Sequence, residues 1–177
     1  YLPYLRGKQN ELIALRDYAD CWSEQQQVVL PIIEPVKTTG NNMVTTMNYL
    51  KDRSMKFALV INPKEGDYKK IEFDVTTSYP KLLEPSYKDC WIPTLLYQNN
   101  VTKLTDMINT LDLHEVMIIF RDGYNDKNED MKYLTELDRV GYIVDGDANS
   151  RSHKLLQRHS NKRLIRLDSQ FVDQKVN

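Results

Sequence analysis

The sequence predicts an α/β protein with parallel strands, arranged as a TIM-type (β/α) barrel that is incomplete or trimmed at its C-terminal end. Three observations predict it. Short apolar runs recur along the chain, among them Val28–Ile33, Phe57–Ile61 and Val116–Phe120. They lack the polar alternation of half-exposed strands and fit strands buried on both faces. Segments with apolar residues at helical spacing lie between them, giving the crossover length that parallel strands require. Each run also stops abruptly at polar or charged residues, as in Pro31-Ile32-Ile33-Glu34-Pro35. An open nucleotide-binding sheet is the competing architecture, but no glycine-rich phosphate loop follows any strand. A full barrel takes ~250 residues for eight units. The 177 residues here supply about seven compressed units in one domain spanning 1–177, with an unpaired edge where an eighth strand is missing.

The elements follow in order. Tyr1–Leu5 is a short apolar run containing Pro3, and Gln9–Asp20 a helix with Leu12, Leu15 and Ala19 inward beside Ile13 and Arg16. Val28–Ile33 is the second strand, and Pro31 is unexpected inside it because proline donates nothing to a ladder. Asn41 or Asn42 caps the next helix, whose stripe is Met43, Met47 and Leu50 with Val44. Phe57–Ile61 is strand. Glu65–Ser86 reads poorly: an amphipathic helix fits near Tyr68–Val75 and a second turn near Tyr79–Leu83, and Pro80 and Pro85 limit the length of any helix there. Cys90–Tyr97 is strand, Val101–Leu111 helix, Val116–Phe120 strand, Asn128–Arg139 helix and Gly141–Val144 strand. Ser150 caps a basic helix reaching His159, and Arg163–Leu167 closes the series. The expected core contains Ile32, Ile33, Leu59, Ile61, Leu95, Ile118, Ile119, Ile143 and Ile165.

Composition bounds the function. Apolar residues are 41% and charged residues 28% of the chain, as in soluble globular proteins. Lys plus Arg (24) balances Asp plus Glu (25), so no global charge draws the chain to membrane, or to nucleic acid as a main partner. No segment is apolar enough to span a bilayer. Cys21 and Cys90 form no metal or redox motif and read as reduced thiols of a cytoplasmic protein. Beginning at Tyr1 and stopping at Asn177 without a cap or turn, the sequence reads as a trimmed chain or a piece of a longer one.

Two N-terminal motifs add a resemblance. Tyr4, Leu5, Arg6, Gly7, Lys8, Gln9 and Glu11 are followed by Pro31 to Val36, Pro-Ile-Ile-Glu-Pro-Val. In this order they resemble the opening of the beta-protein family of bacteria and phages, and Arg121-Asp122 and Arg166 with Asp168 fit the same picture. The resemblance implies a barrel of unassigned activity, often encoded near nuclease-like or phage-defence genes. It also implies a chain that continues further in barrel and tail, and a nuclease-like protein partner.

The candidate site is a polar ring at the C-terminal strand ends: Arg6, Lys8, Glu34, Asn62, Gln98, Arg121, Asp122, Asp145, Asp147, Arg166 and Asp168. Parallel strands bring such residues to one rim. The carboxylates Glu34, Asp122, Asp145 and Asp168 can hold a hard cation such as Mg²⁺ or serve as acid and base, and the arginines can clamp phosphate or carboxylate. The plainer alternative is that Asp and Asn begin loops and caps for structural reasons, with Arg6–Glu34 and Arg121–Asp145 paired. No dedicated metal site is read: His114, His153 and His159 lack ligand spacing. Arg151 to Arg166 carries six Lys or Arg and no acid. Such a run can contact phosphates but lacks the interleaved aromatics of a single-strand binder, and the plainer expectation is that it pairs with the acidic stretch Asp126–Asp138. Two functions follow: a protein-interaction or phage-defence-associated module with a ligand-binding rim, or an enzyme acting on a phosphorylated or carboxylated small molecule.

Overall fold

A computed structural model of the chain describes residues 1–21, 29–147 and 150–166. The fold is α/β, and all strands pair in parallel. The chain divides into two compact units, Tyr1–Thr94 and Leu95–Asn177.

In the first unit, β1 (Tyr4–Leu5), β2 (Ile32–Ile33), β3 (Phe57–Val60) and β4 (Trp91–Leu96) lie side by side in chain order. The boundary between the units falls within β4. The β1–β2 ladder runs beyond the formal strands, with Leu30, Ile32 and Glu34 N–H donating to Tyr1, Pro3 and Leu5 carbonyls at 2.9, 2.9 and 2.8 Å. This resolves the proline puzzle. Pro3 and Pro31 each use only a carbonyl, Pro31 accepting from Ala58 N–H at 2.8 Å, so neither missing donor interrupts these ladder bonds.

Helices α1 (Gln9–Asp20) and α2 (Asn41–Asp52) pack on each other. Leu12, Leu15 and Ala19 of α1 and Met43, Met47 and Leu50 of α2 are buried, as their spacing predicts, whereas Ile13 is 39% exposed. Polar bonds fix the pair: Arg16 Nη1 donates to the buried Thr46 hydroxyl at 2.8 Å, and Asp20 receives Tyr49 and Arg53. Gly40, rather than either asparagine, stands at the α2 N-cap. The segment after β3 forms no long helix. It is built from short 3₁₀ turns at Gly66–Lys69, Pro80–Leu83 and Pro85–Tyr87 with α3 (Val75–Ser78) among them. The rings of Tyr68, Phe73 and Tyr79 meet there in sequence, edge-to-face at 5.2 Å and tilted at 5.8 Å between centroids.

In the second unit, β5 (Val116–Phe120), β6 (Val140–Asp145) and β7 (Arg163–Arg166) follow in chain order. Tyr97 N–H, just past β4, donates to Ile119 O at 3.0 Å. The helices are α4 (Val101–Thr110), α5 (Glu129–Glu136) and α6 (Arg151–His159), capped by Asn100, Asn128 and Ser150 side chains. Helix α5 is shorter than its pattern predicts because Leu137 leaves helical geometry, with ψ at 127°. Of the expected core, all but Ile165 is fully buried. Ile165 is half-buried, since β7 has no buried position at all. Cys21 and Cys90 are free thiols. Among the described residues no helix is long and apolar enough to cross a membrane.

Candidate functional site

The first unit opens a cleft of about 560 Å³ beyond the ends of β1 and β2. Its walls come from the turn Arg6-Gly7-Lys8, from Pro35-Val36-Lys37, from the start of α2 and from the segment after β3, which supplies Glu65, Gly66 and Tyr79. Two glycines make this geometry. Gly7 has φ of +58°, and a Cβ there would lie 2.7 Å from Met43 Cε and 3.1 Å from Glu34 O. Gly66 has φ of +60°, and a Cβ would lie 2.1 Å from Val36 O. Only glycine combines that conformation with so close an approach. Asp67 N–H then donates to Val36 O at 2.9 Å, which seats the segment on the end of β2.

Cations dominate the cleft lining. Arg6, Lys8 and Lys37 face a single carboxylate, Glu65, whose Oε2 lies 3.5 Å from Lys69. Lys37 reaches Asp67 at 3.4 Å while remaining mostly exposed. The Thr38 N–H, followed by Lys37, holds the Asp67 carboxyl below its usual range. The α2 N-terminus adds to this field. It has no side-chain cap and no acid in its first turn, so its leading N–H groups and dipole favour an anion. At α1 the Glu11 carboxylate takes the Lys8 N–H at 3.1 Å. Tyr79 closes one wall; burial pushes its phenol well up, so it stays a neutral donor.

Glu34 lies beneath the rim, wholly buried. Tyr4 hydroxyl donates to Oε2 at 2.7 Å and Lys64 N–H to Oε1 at 3.2 Å. In the β1–β2 register Tyr4 stands beside Ile32, and Glu34, two residues on, shares that face. The expected Arg6–Glu34 pair is absent: the chain turns at Gly7 and leaves Arg6 exposed on the cleft. Burying a guanidinium with its partner costs desolvation that a phenol avoids. Asn62, just past β3, is half-buried and outside the cleft lining.

The second unit gathers a different set. Asp145, at the end of β6, is wholly buried. Its Oδ1 accepts Tyr124 N–H at 2.9 Å and Asp147 N–H at 3.1 Å, and His153 Nδ1–H donates to Oδ2 at 2.7 Å. Ser150 caps α6 through His153 N–H at 2.9 Å, which sets the imidazole against the strand end. The loops after β5 and β6 touch closely: Gly146 N–H donates to Phe120 O at 2.9 Å, and a Cβ on Gly146 would fall 2.0 Å from Arg121 O. The expected Arg121–Asp145 pair does not form: two backbone N–H groups and an imidazole take the carboxylate, and Arg121 is exposed. Gln98, Asp122, Asp147 and Arg166 are exposed, and Asp168 lies outside the described residues.

Among the described residues no group of three or more His, Cys, Asp or Glu side chains is placed to hold a metal. No hydroxyl or thiol among them hydrogen-bonds the other ring nitrogen of His153. Of the cleft the sequence locates Arg6 and Lys8, with Glu34 beneath it, but not Gln9, Lys37, Thr39, Asn42, Glu65, Gly66 or Tyr79, nor His153 as the partner of Asp145. Comparison with protein-family models, with curated proteins and with solved structures found no match.

Proposed function

We propose that the chain is a ligand-binding module of (β/α) barrel type, which takes a small phosphorylated or carboxylated molecule in the cleft beyond β1 and β2. The observation that carries this reading is the charge of the cleft. Three cations and an uncapped helix start face one carboxylate in a concavity of about 560 Å³, the size of a small-molecule site. Strand C-terminal ends are where barrel folds put their sites. Arg6 is the anchor, because a guanidinium recognises phosphate and carboxylate with paired donors. Lys8 and the α2 N–H groups neutralise the remaining charge, and Tyr79 donates from the wall.

Binding is favoured over catalysis because the described residues of the cleft set no nucleophile beside a base. An interaction with a nuclease-like partner, implied by the family resemblance, is compatible with a module that reports ligand occupancy. Calorimetry with inorganic phosphate, pyrophosphate and citrate tests the reading. At least one of these anions binds, and Arg6→Gln lowers the affinity by about tenfold, the equivalent of one charge-assisted hydrogen bond. Lys8→Gln lowers it less, and neither change alters the melting temperature. Binding that ignores both substitutions, or no binding of any of the three, rejects it.

A further inference from the structure

The helix α6 carries a second charged surface that the cleft does not use. Arg151, Lys154 and Arg158 are all exposed. At about 100° per residue they fall within a stripe roughly 60° wide, opposite the buried His153 and Leu156. These three are not neutralised by ion pairs with the acidic stretch before and along α5. None of the three makes an ion pair with a carboxylate among the described residues, and the bond from α6 to Asp126 comes from Ser152, whose hydroxyl donates to Oδ1 at 2.6 Å. The Ser152 bond, followed at longer range by the charges of Lys127 and Arg151, holds the Asp126 carboxyl below the usual range. Nearby cations are spoken for: Lys162 Nζ donates to Leu137 O at 2.9 Å, and the Arg163 guanidinium sits 5.1 Å from the Tyr142 ring centroid.

We propose that this stripe binds the phosphate backbone of a nucleic-acid duplex, without reading its sequence. The spacing fits. Arg151 to Arg158 spans seven residues, about 10.5 Å of helix, and a duplex strand presents a phosphate every ~3.4 Å along its axis. Three cations therefore meet about three phosphates of one strand. Single strands are the poorer match because no aromatic side chain lies in the stripe to stack on bases. The chain as a whole carries a net charge of −1, so any such binding must come from this local field rather than from global attraction.

Fluorescence anisotropy with labelled 20-base-pair DNA and RNA duplexes tests it, across a series of salt concentrations. Three contacts give a slope of log K against log salt of about −2.7, a loss of roughly 40-fold between about 50 and 200 mM salt. Arg151→Gln with Lys154→Gln and Arg158→Gln removes the binding. If that triple variant does not fold by circular dichroism, each single change still reduces the slope by about one. The DNA and RNA arms identify which duplex is preferred. A salt-independent affinity, unchanged binding by the folded triple variant, tighter binding of a single strand, or equal binding of poly-glutamate overturns the proposal.

Discussion

Each unit buries one carboxylate at the end of a strand, and the two are held in opposite ways. Glu34 ends β2 beneath an open basic cleft, and its partners include a phenol and a backbone N–H. Asp145 ends β6 among two backbone N–H groups and an imidazole. The difference lies in how much each site needs an anion. A glutamine at 34 still offers a carbonyl oxygen to Tyr4 or Lys64. Every named partner of Asp145 is a donor, and two of them are fixed in the backbone. Asp145 thus ties the β5 and β6 loops to α6, whereas Glu34 trims the floor of a site whose charge is supplied elsewhere.

The largest effect expected from this contrast is at Asp145. Asp145→Ala leaves the Tyr124 and Asp147 N–H groups and the His153 ring without their acceptor, at about 1–3 kcal/mol for each buried group. The total loss is on the order of 4 kcal/mol in urea unfolding, enough to threaten a domain of ordinary stability. A loss below about 1 kcal/mol would mean that water replaces the carboxylate, and the contrast with Glu34 would disappear.

Glu34→Gln comes next, at about 1 kcal/mol. Tyr4→Phe should cost a similar amount, and the two changes should be non-additive because they remove one shared bond. Arg6→Gln should add independently to Glu34→Gln. Coupling between residues 6 and 34 above about 1 kcal/mol would restore the direct ion pair and break the distinction drawn between the rim charge and the buried floor.

The strands were legible because a run such as Val116–Phe120 is apolar throughout, too short for a helix and bounded by polar residues, and it is strand over its full length. Helix α1 was legible from Leu12, Leu15 and Ala19, all buried. The rim residues were legible as strand-end residues, yet their pairing was not, because partner choice depends on a turn. The positive φ of Gly7 takes Arg6 outward, and the alternation of β1 brings Tyr4 to Glu34 instead. The segment after β3 was opaque for a related reason. Its 3₁₀ turns have no 3.6-residue period, and its contribution to the cleft rests on the contact of Gly66 with Val36 O, which no local pattern encodes. His153 was within reach of sequence reasoning. A cap at Ser150 makes it the third helical residue, and helical side chains lean toward the N-terminus, here toward the loop that follows Asp145. Ligand-spacing rules, applied to histidines alone, passed over it.

The smallest effect belongs to Asp67, whose role sharpens the account of the cleft. Its carboxyl is held below the usual 3.8, first by the Thr38 N–H and then by Lys37. The folded value is the lower one, so the contribution to stability is fully present above the unfolded value and is lost as pH falls through the folded one. Asp67→Asn should therefore melt slightly below the wild type at neutral pH, and the two curves should converge in acid, below the usual carboxylate range. The same substitution releases Lys37 from its 3.4 Å contact and raises the positive charge beside the cleft. Anion affinity in calorimetry should rise by a modest factor, about twofold, in keeping with a screened surface pair. That opposite movement, a lower melting temperature with tighter binding, separates a charge that competes with the ligand from one that merely supports the wall. If affinity falls with stability, Asp67 is part of the scaffold, and Lys37 does not contribute its charge to the ligand.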